Sequence, residues 1–151
     1  MIVATNGFAN QLLKIKDVMP ARAQVLITEP IPSLKFKGTF HYDEGYYYFR
    51  NIGNRVLFGG GRNLDFKTET TTDLSLNTKI QQHLELLLKT VILPKTPFKV
   101  EQRWCGIMGV GQIKKPIIKK TSHNIVCAVR MGGMGVAIGS LVGKLAVEEL
   151  A

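Results

Sequence analysis

The chain has 151 residues and is 45% hydrophobic without low-complexity tracts, so it is long enough for one folded domain with a real core and is not intrinsically disordered. No apolar run approaches the roughly 20 residues of a transmembrane helix, and the N-terminus lacks the pattern of a signal peptide, which together predict a cytoplasmic protein with no membrane partner. Twenty basic and eleven acidic residues give a net charge of +9, but the charges are scattered, and the lysines of residues 114–120 are typical of a solvated strand edge, so no nucleic-acid partner is predicted.

Strands dominate the first part of the chain. Residues 2–5 are an apolar run that ends in a turn at Thr5-Asn6-Gly7, and a short helical turn follows. Residues 21–28 alternate between two faces and end before two prolines, which predicts a strand. Further strands are predicted at 38–40, 46–50 and 55–59, the last two as a hairpin around residues 51–54.

One strong amphipathic helix is predicted over residues 75–91. Its apolar positions recur at spacings of three and four: Leu76, Ile80, Leu84, Leu87, Leu88 and Val91. Asp73 or Ser75 is expected to cap its start, and two prolines close it. A strand over residues 98–107 contains the only tryptophan, Trp104, and a second glycine-rich turn is expected at residues 106–111.

Cysteine and histidine placement gives no sign of a metal site. Cys105 and Cys127 lack metal-ligand spacing, and the three histidines do not cluster. Both thiols are therefore expected to be free and buried, and no metal is predicted.

The glycine-rich residues 130–140 lie between an apolar run at 125–129 and a tail with helical spacing, which predicts strand, glycine turn and helix. Three glycines in four residues permit positive φ angles and the close approach of another surface. Free amides at the start of the helix favour an anion or an electron-rich ring edge. Taken alone, however, the pattern slightly favours helix-on-sheet packing, because Gly135, Gly139 and Gly143 share one helical face.

Six segments in order carry a resemblance to a protein family. They are residues 4–7 (Ala-Thr-Asn-Gly), 20–24 (Pro-Ala-Arg-Ala-Gln), 58–60 (Phe-Gly-Gly), 104–107 (Trp-Cys-Gly-Ile), 116–117 (Pro-Ile) and 132–136 (Gly-Gly-Met-Gly-Val). Over nearly the whole chain they resemble the carboxy-terminal half of FAD-dependent amine and amino-acid oxidoreductases of the D-amino-acid oxidase, glycine oxidase and sarcosine oxidase type.

The resemblance implies an α+β fold: an antiparallel substrate-domain sheet with one long helix, together with terminal strand and helix pieces of an incomplete Rossmann-type FAD domain. It assigns residues 1–19 to the end of an FAD-domain strand and its connection, 20–118 to the substrate-binding domain and 119–151 to the return to the FAD domain. The implied reaction moves a hydride from a C–N bond of a small amine or amino acid to flavin, and water then hydrolyses the imine. No catalytic acid–base pair need appear in such an enzyme.

The resemblance also implies the cofactor and its contacts. FAD is expected to contact Thr5, Asn6, Gly7, Gly106, Ile107, Gly132, Gly133, Met134, Gly135 and Val136. The resemblance places the glycine loop of residues 130–140 at the pyrimidine edge of the flavin. Contact with the flavin is then favoured over helix-on-sheet packing as the role of this loop. Substrate-side candidates are Tyr47, Arg50 and Met108, and Arg62 could supply another cation.

Two departures from the family limit these expectations. The G-x-G-x-x-G turn and acidic residue of the ADP-binding half are absent, so the chain is expected to be a fragment whose partner is the missing N-terminal FAD-binding half. Met108 and Gly109 stand where glycine-oxidase-like members have Arg-Pro, so the usual carboxylate clamp is missing. Tyr47 is therefore slightly better explained by sheet packing, and Cys105 only approximately matches the region where some sarcosine oxidases attach flavin.

A non-catalytic alternative stays open. In it the chain is a remnant or a basic binding module that does not bind FAD alone. The strand at residues 2–5 and the terminal helix would lack the rest of their sheet, so we expect the chain alone to be poorly soluble.

Overall fold

The computed structural model describes residues 1–151, which form eight strands and three α-helices. The strands are β1 (Ile2–Val3), β2 (Met19–Thr28), β3 (Thr39–Tyr42), β4 (Tyr47–Ile52), β5 (Arg55–Gly60), β6 (Val100–Val110), β7 (Ile117–Ser122) and β8 (Ile125–Val129). The helices are α1 (Ala9–Leu13), α2 (Thr78–Leu87) and α3 (Gly135–Leu150), with 3-10 turns at Asn6–Phe8 and Arg62–Leu64 and a π-helical turn at Leu88–Ile92. None of these helices is both long and apolar enough to cross a membrane.

The chain divides into two compact units. The first contains residues 1–21, 70–72 and 107–151, and the second contains residues 22–69 and 73–106. The predicted α+β class with an antiparallel sheet is confirmed. The assignment of residues 1–19, 20–118 and 119–151 to cofactor and substrate domains stays a prediction.

A five-stranded sheet in the order β3-β4-β5-β2-β6 organises the second unit. The paired strands β3–β4, β4–β5 and β5–β2 are antiparallel. Helix α2 packs on one face through Ile80 and Leu84, which are fully buried against Leu26, Val56 and Phe58. The burial of these large side chains is the main stabilising term of this unit.

The hairpin of β4 and β5 is confirmed with a tighter turn than the sequence indicated. Ile52 pairs with Arg55, so only Gly53 and Asn54 form the turn. The φ angle of Gly53 is +57°. A two-residue connection with a positive φ matches the twist of the flanking strands, which explains why pairing continues past the expected residue 50.

The long helix is confirmed, but its predicted start at residue 75 is wrong. Helix α2 begins at Thr78, and the side chain of Asn77 accepts a hydrogen bond from the backbone amide of Ile80 at 3.4 Å. Asp73 and Ser75 do not cap it, since Arg22 donates to the Ser75 hydroxyl at 2.6 Å and to the Asp73 carbonyl at 3.2 Å. A tertiary contact thus overrides the local capping preference of these two residues.

The predicted glycine turn at residues 106–111 is also wrong, because β6 continues to Val110. Here the glycine at 109 makes room for a neighbour instead of reversing the chain. A Cβ on Gly109 would lie 2.5 Å from the side-chain oxygen of Asn6. A glycine within a strand can mark the close approach of a neighbouring segment, and at Gly109 that neighbour is Asn6.

A three-stranded sheet in the order β1-β8-β7 organises the first unit, with β1 parallel and β7 antiparallel to β8. On one face Val126 and Ala128 pack against Val142 and Ala146 of α3. On the other face Cys127 and Val129 pack against Ala9 and Val18. Successive side chains of β8 therefore point to opposite faces of the sheet, and both faces are covered.

Strand, glycine turn and helix are confirmed at the end of the chain as β8, residues 130–134 and α3. The packing role predicted from the glycine stripe is wrong, since a Cβ on Gly139 or Gly143 would meet no atom within 4 Å. Val142 and Ala146 contact the sheet instead. The predicted free thiols are confirmed, but only Cys127 is buried, while Cys105 is half-buried.

Candidate functional site

The loop between β8 and α3 has an open backbone surface. Gly132 and Gly133 have φ angles of +55° and +86°, which glycine adopts without strain. A Cβ on Gly132 would meet nothing within 4 Å. Helix α3 follows at once, and no side chain caps it, since Met134 stands at the N-cap position. The first-turn amides of α3 therefore present the positive end of the helix dipole without a competing side-chain acceptor.

Asn6 fixes this loop from the start of the chain. Its side-chain oxygen accepts hydrogen bonds from the backbone amides of Arg130 at 3.1 Å and Met131 at 3.4 Å. Its own φ angle is +46°, a conformation that asparagine tolerates better than most residues. One side chain therefore sets the position of a loop more than 120 residues away in the sequence.

The end of β6 completes the arrangement. The backbone amide of Gly132 donates to the carbonyl of Gly109 at 3.0 Å. A Cβ on Gly7 would lie 2.6 Å from the carbonyl oxygen of Met108 and 2.7 Å from the Ile107 side chain, so Gly7 permits a close contact there. Residues 5–7, 107–109 and 130–135 thus converge in the first unit.

Nine of the ten residues assigned to the cofactor lie in this unit, while Gly106 lies in the second. Asn6, Gly7, Ile107 and the loop glycines are held together by the contacts above. Met134 is 57% exposed and Val136 is fully exposed. Their role in binding a cofactor stays a prediction.

The sequence reasoning missed Gly109 and Arg130 as parts of this arrangement. Gly109 carries both the carbonyl that accepts from Gly132 and the missing Cβ that admits Asn6. Arg130 has a φ angle of +65°. The glycine cluster at 106–111 was the available signal for the first residue, and it was interpreted as a turn.

The substrate-side candidates do not form one cluster within the second unit. Tyr47 is 2% exposed, with its ring 6.1 Å from Phe58 and 5.8 Å from His83, and burial is the main cause of its raised pKa. Arg50 lies on the opposite face of β4 and is exposed. Met108 belongs to the first unit, where its sulfur lies 3.5 Å from the position of a Cβ on Gly133.

Tyr48 is a further candidate that the sequence reasoning passed over. It alternates with Tyr47, so it faces away from helix α2, and a Cβ on Gly59 would lie 2.6 Å from its phenol oxygen. Burial raises the pKa of the Tyr48 phenol above its ordinary value. Alternation along β4 was the signal that distinguished the two tyrosines.

The most buried charged group in the second unit is the ion pair of Arg22 and Glu69. Nη2 of Arg22 lies 2.7 Å from Oε1 of Glu69. The side-chain amides of Gln24 and Asn77 also donate to the Glu69 carboxylate. Burial alone raises the pKa of Glu69 most strongly, but the hydrogen bonds from Arg22, Asn77 and Gln24 together hold the pKa below its ordinary value. A carboxylate so fully bonded is suited to holding residues 69–77 in place and not to proton transfer.

Residues 1–149 match the family described as DAO, FAD dependent oxidoreductase. No curated protein matches this chain in sequence.

Several solved structures share the fold. L-proline dehydrogenase from P. horikoshii is 19% identical with a TM-score of 0.75, and the match covers 97% of this chain and 41% of that one. Iminodiacetate oxidase from a Chelativorans species is 17% identical with a TM-score of 0.73, covering 96% and 40%. Glycine oxidase from Bacillus cereus is 12% identical with a TM-score of 0.74, covering 99% and 42%. The chain thus spans about two fifths of the length of these structures.

Proposed function

Because this chain belongs to the DAO family of FAD-dependent oxidoreductases, we propose that it forms the carboxy-terminal part of an enzyme that oxidises a C–N bond of a small amine or amino acid. The observation that carries this proposal is the convergence of residues 5–7, 107–109 and 130–135 at the start of α3. FAD, when bound, supplies the hydride acceptor, and the imine product is then hydrolysed by water.

The residues of this loop fit the edge of a planar, electron-rich ring. Gly132 leaves open space where any other residue would place a Cβ. The amides at the start of α3 favour negative charge, which is a preorganised electrostatic effect. The exposed side chain of Met134, at the N-cap position of α3, adds an apolar surface next to those amides. Asn6 keeps the loop in this conformation through its two hydrogen bonds.

On the substrate side, the chain offers orientation and not acid–base chemistry. Met108 stands where glycine-oxidase-like members carry an arginine, so a carboxylate would find no guanidinium at this position. We infer that Tyr48, on the face of β4 away from the core, contacts the substrate in place of Tyr47. Arg50 lies on that same face and is exposed, so it is the cation available there.

The ADP-binding part of the cofactor site is proposed to come from an N-terminal FAD-binding half, which is the partner of this chain. The support is that the chain corresponds to about two fifths of its structural relatives and contains no glycine-rich dinucleotide turn. The terminal pieces of the proposed Rossmann-type domain are β1, β8 and α3. A cytoplasmic location stays a prediction.

The test is to sequence the DNA upstream of the Met1 codon and to produce this chain together with any reading frame there that encodes the glycine-rich ADP-binding turn. We expect a yellow complex with flavin absorbance that is bleached by an amine or amino acid. A colourless, FAD-free complex would contradict the proposal and favour the non-catalytic alternative.

The loop is tested by Met134→Glu, which places a negative charge beside the amides of α3 at a 57% exposed position. In the complex with the N-terminal half, we expect the dissociation constant for FAD to rise at least tenfold, which is about 1.4 kcal/mol or more, because the glutamate repels the charge that the flavin edge carries. The thermal midpoint should not fall, since an acidic side chain at a helix N-terminus is favourable. The matched control is Leu86→Glu, which adds the same charge at a 53% exposed position on α2. Equal losses in the two variants would show that the effect is not local to the loop.

A further inference from the structure

A basic cavity lies within the first unit, and none of the residues proposed to contact FAD lines it. Its volume is about 700 Å³. It is lined by Leu13 at the end of α1 and the residues after it (14–17 and 19), by residues 111–113, by Arg130, and by residues 117 and 119–121 along β7. The volume falls within the roughly 300–1,000 Å³ that is typical of small-molecule sites.

The charge of the lining is strongly unbalanced. Five cations, Lys14, Lys16, Lys119, Lys120 and Arg130, face the cavity with a single carboxylate, Asp17. None of these six side chains takes part in an ion pair of the protein. An anion entering the cavity would therefore meet a net positive potential, because one carboxylate offsets only part of the charge of five cations.

Arg130 is held rigidly at the wall. Its Nε donates to the carbonyl of Lys115 at 2.8 Å, and its Nη1 donates to the carbonyl of Asp17 at 3.2 Å. A Cβ on Gly111 would lie 2.7 Å from the Arg130 Cδ atom, so the glycine provides the space that the arginine fills. A guanidinium fixed in this way loses little side-chain entropy on binding an anion.

Aliphatic side chains line the rest of the cavity. Leu13, Ile15 and Ile117 are half-buried and continue the apolar cluster around Val129, while Ile113 is 59% exposed. Cations beside an aliphatic wall match a ligand with an anionic group on an organic body. Lysines that merely protect the edge strand β7 would explain Lys119 and Lys120, but not Lys14, Lys16 or the anchored Arg130.

We propose that this cavity binds a small phosphorylated organic molecule. Its phosphate group lies among the lysines and Arg130, and its organic part packs on the aliphatic wall. The site is independent of the proposed amine oxidation, so it can be tested whether or not the protein binds FAD.

The experiment is calorimetric titration of the full chain, kept in solution by a solubility-enhancing fusion partner, with AMP, inorganic phosphate and adenosine; the fusion partner alone is the blank. We expect saturable binding of AMP with one site per chain, at least tenfold tighter than inorganic phosphate, and no binding of adenosine. Equal affinity for AMP and inorganic phosphate would contradict the claim that an organic part of the ligand packs on the aliphatic wall. Absence of AMP binding, or binding of adenosine as tight as that of AMP, would overturn the proposal altogether.

A pair of double variants locates the site. Lys16→Ala with Lys119→Ala removes two cavity cations and is expected to weaken AMP binding at least tenfold. Lys37→Ala with Lys89→Ala removes two exposed lysines from the second unit and is expected to leave AMP affinity within twofold. Far-ultraviolet circular dichroism checks that both variants are folded. Equal weakening in the two would mean that AMP responds only to net charge, which would contradict the cavity as the site.

Discussion

At the scale of single residues, Asn6 has the largest influence on the candidate site. It satisfies two loop amides with one oxygen, and it holds a backbone conformation with positive φ. A replacement for Asn6 would need both a side-chain acceptor at this position and tolerance of a positive φ angle. The loop geometry is therefore encoded partly by a residue at the other end of the chain.

Three substitutions at Asn6 separate these two properties. Asn6→Ala loses both hydrogen bonds and strains the φ angle of +46°, so we expect a loss of roughly 2–4 kcal/mol in the free energy of unfolding. Asn6→Gly loses the hydrogen bonds without the strain and should cost about 1 kcal/mol less than alanine. Asn6→Asp keeps the acceptor and should cost least. Urea denaturation measures the order, and a glycine variant less stable than the alanine variant would contradict it.

The glycine at 109 gives a second prediction at this scale. In Gly109→Ala the new methyl would lie 2.5 Å from the Asn6 side-chain oxygen and 3.1 Å from its backbone carbonyl carbon, so we expect a loss of about 1–3 kcal/mol. Gly106→Ala in the same strand is the matched control, since its methyl meets nothing within 4 Å. Thermal melts of the two variants should differ clearly. Equal midpoints would argue against the close approach of Asn6 to β6.

At the scale of elements, helix α2 and the segment before it stabilise the second unit in different ways. The helix buries apolar side chains against the sheet, whereas residues 69–77 are fixed by a buried ion pair. The helix boundary itself reflects this division, because Ser75 serves Arg22 and leaves Asn77 as the cap.

The amphipathic face of α2 is tested by two leucine substitutions. Leu84 is fully buried, and Leu84→Ala should cost about 2–5 kcal/mol through lost burial and the cavity left behind. Leu86 is 53% exposed, and Leu86→Ala should cost less than about 1 kcal/mol. Urea denaturation of both variants checks the difference, and similar midpoints would contradict the packing of α2 on the sheet.

The buried ion pair gives a prediction about pH. The pKa of Glu69 is held below its unfolded value of about 4.3, so its stabilising contribution is complete above that pH and is lost as the pH falls through the lower folded value. Glu69→Gln leaves Arg22 buried without its partner and should cost about 3–5 kcal/mol at neutral pH. It should also flatten the fall in stability that the wild-type protein shows as the pH drops below about 4.3.

Glu85→Gln is the matched control for that variant. Glu85 pairs with Arg103 at 2.5 Å, but its side chain is 44% exposed, so we expect a cost below about 1 kcal/mol. Unfolding free energies measured across the pH range distinguish the two. A Glu69→Gln variant with an unchanged acid transition would show that the pair contributes nothing to acid stability.

At the scale of the whole molecule, the elements of the first unit leave apolar surface uncovered. Strand β1 has two residues and pairs on one side only with β8. Helix α3 leaves Leu141 57%, Leu145 39% and Val147 58% exposed. Leu141 and Leu145 are four residues apart and so share one face of the helix. Exposed apolar side chains on a shared helix face are typical of a surface that another polypeptide covers.

We therefore expect the chain alone to be poorly soluble and to melt without sharp cooperativity, so the unfolding free energies and thermal midpoints predicted above refer to the chain in complex with its proposed N-terminal half. Production together with the proposed N-terminal half should raise the soluble yield several-fold and sharpen the melt. Sedimentation of the soluble fraction and a thermal scan measure both. A monomeric chain with a sharp cooperative melt on its own would contradict this expectation.

The sequence by itself determined the local elements and their order. Turn residues 51–54 identified the β4–β5 hairpin, apolar spacing identified α2, and glycine content identified the turn before α3, because each of these signals depends on neighbours within a few residues. The family followed from six short segments read together. The packing role favoured for Tyr47 is confirmed by its burial. Tertiary structure alone decided that Asn77 caps α2, that Gly109 lies in a strand, and that lysines from separate segments surround one cavity. These outcomes depend on contacts between residues far apart in the chain, which no local pattern encodes.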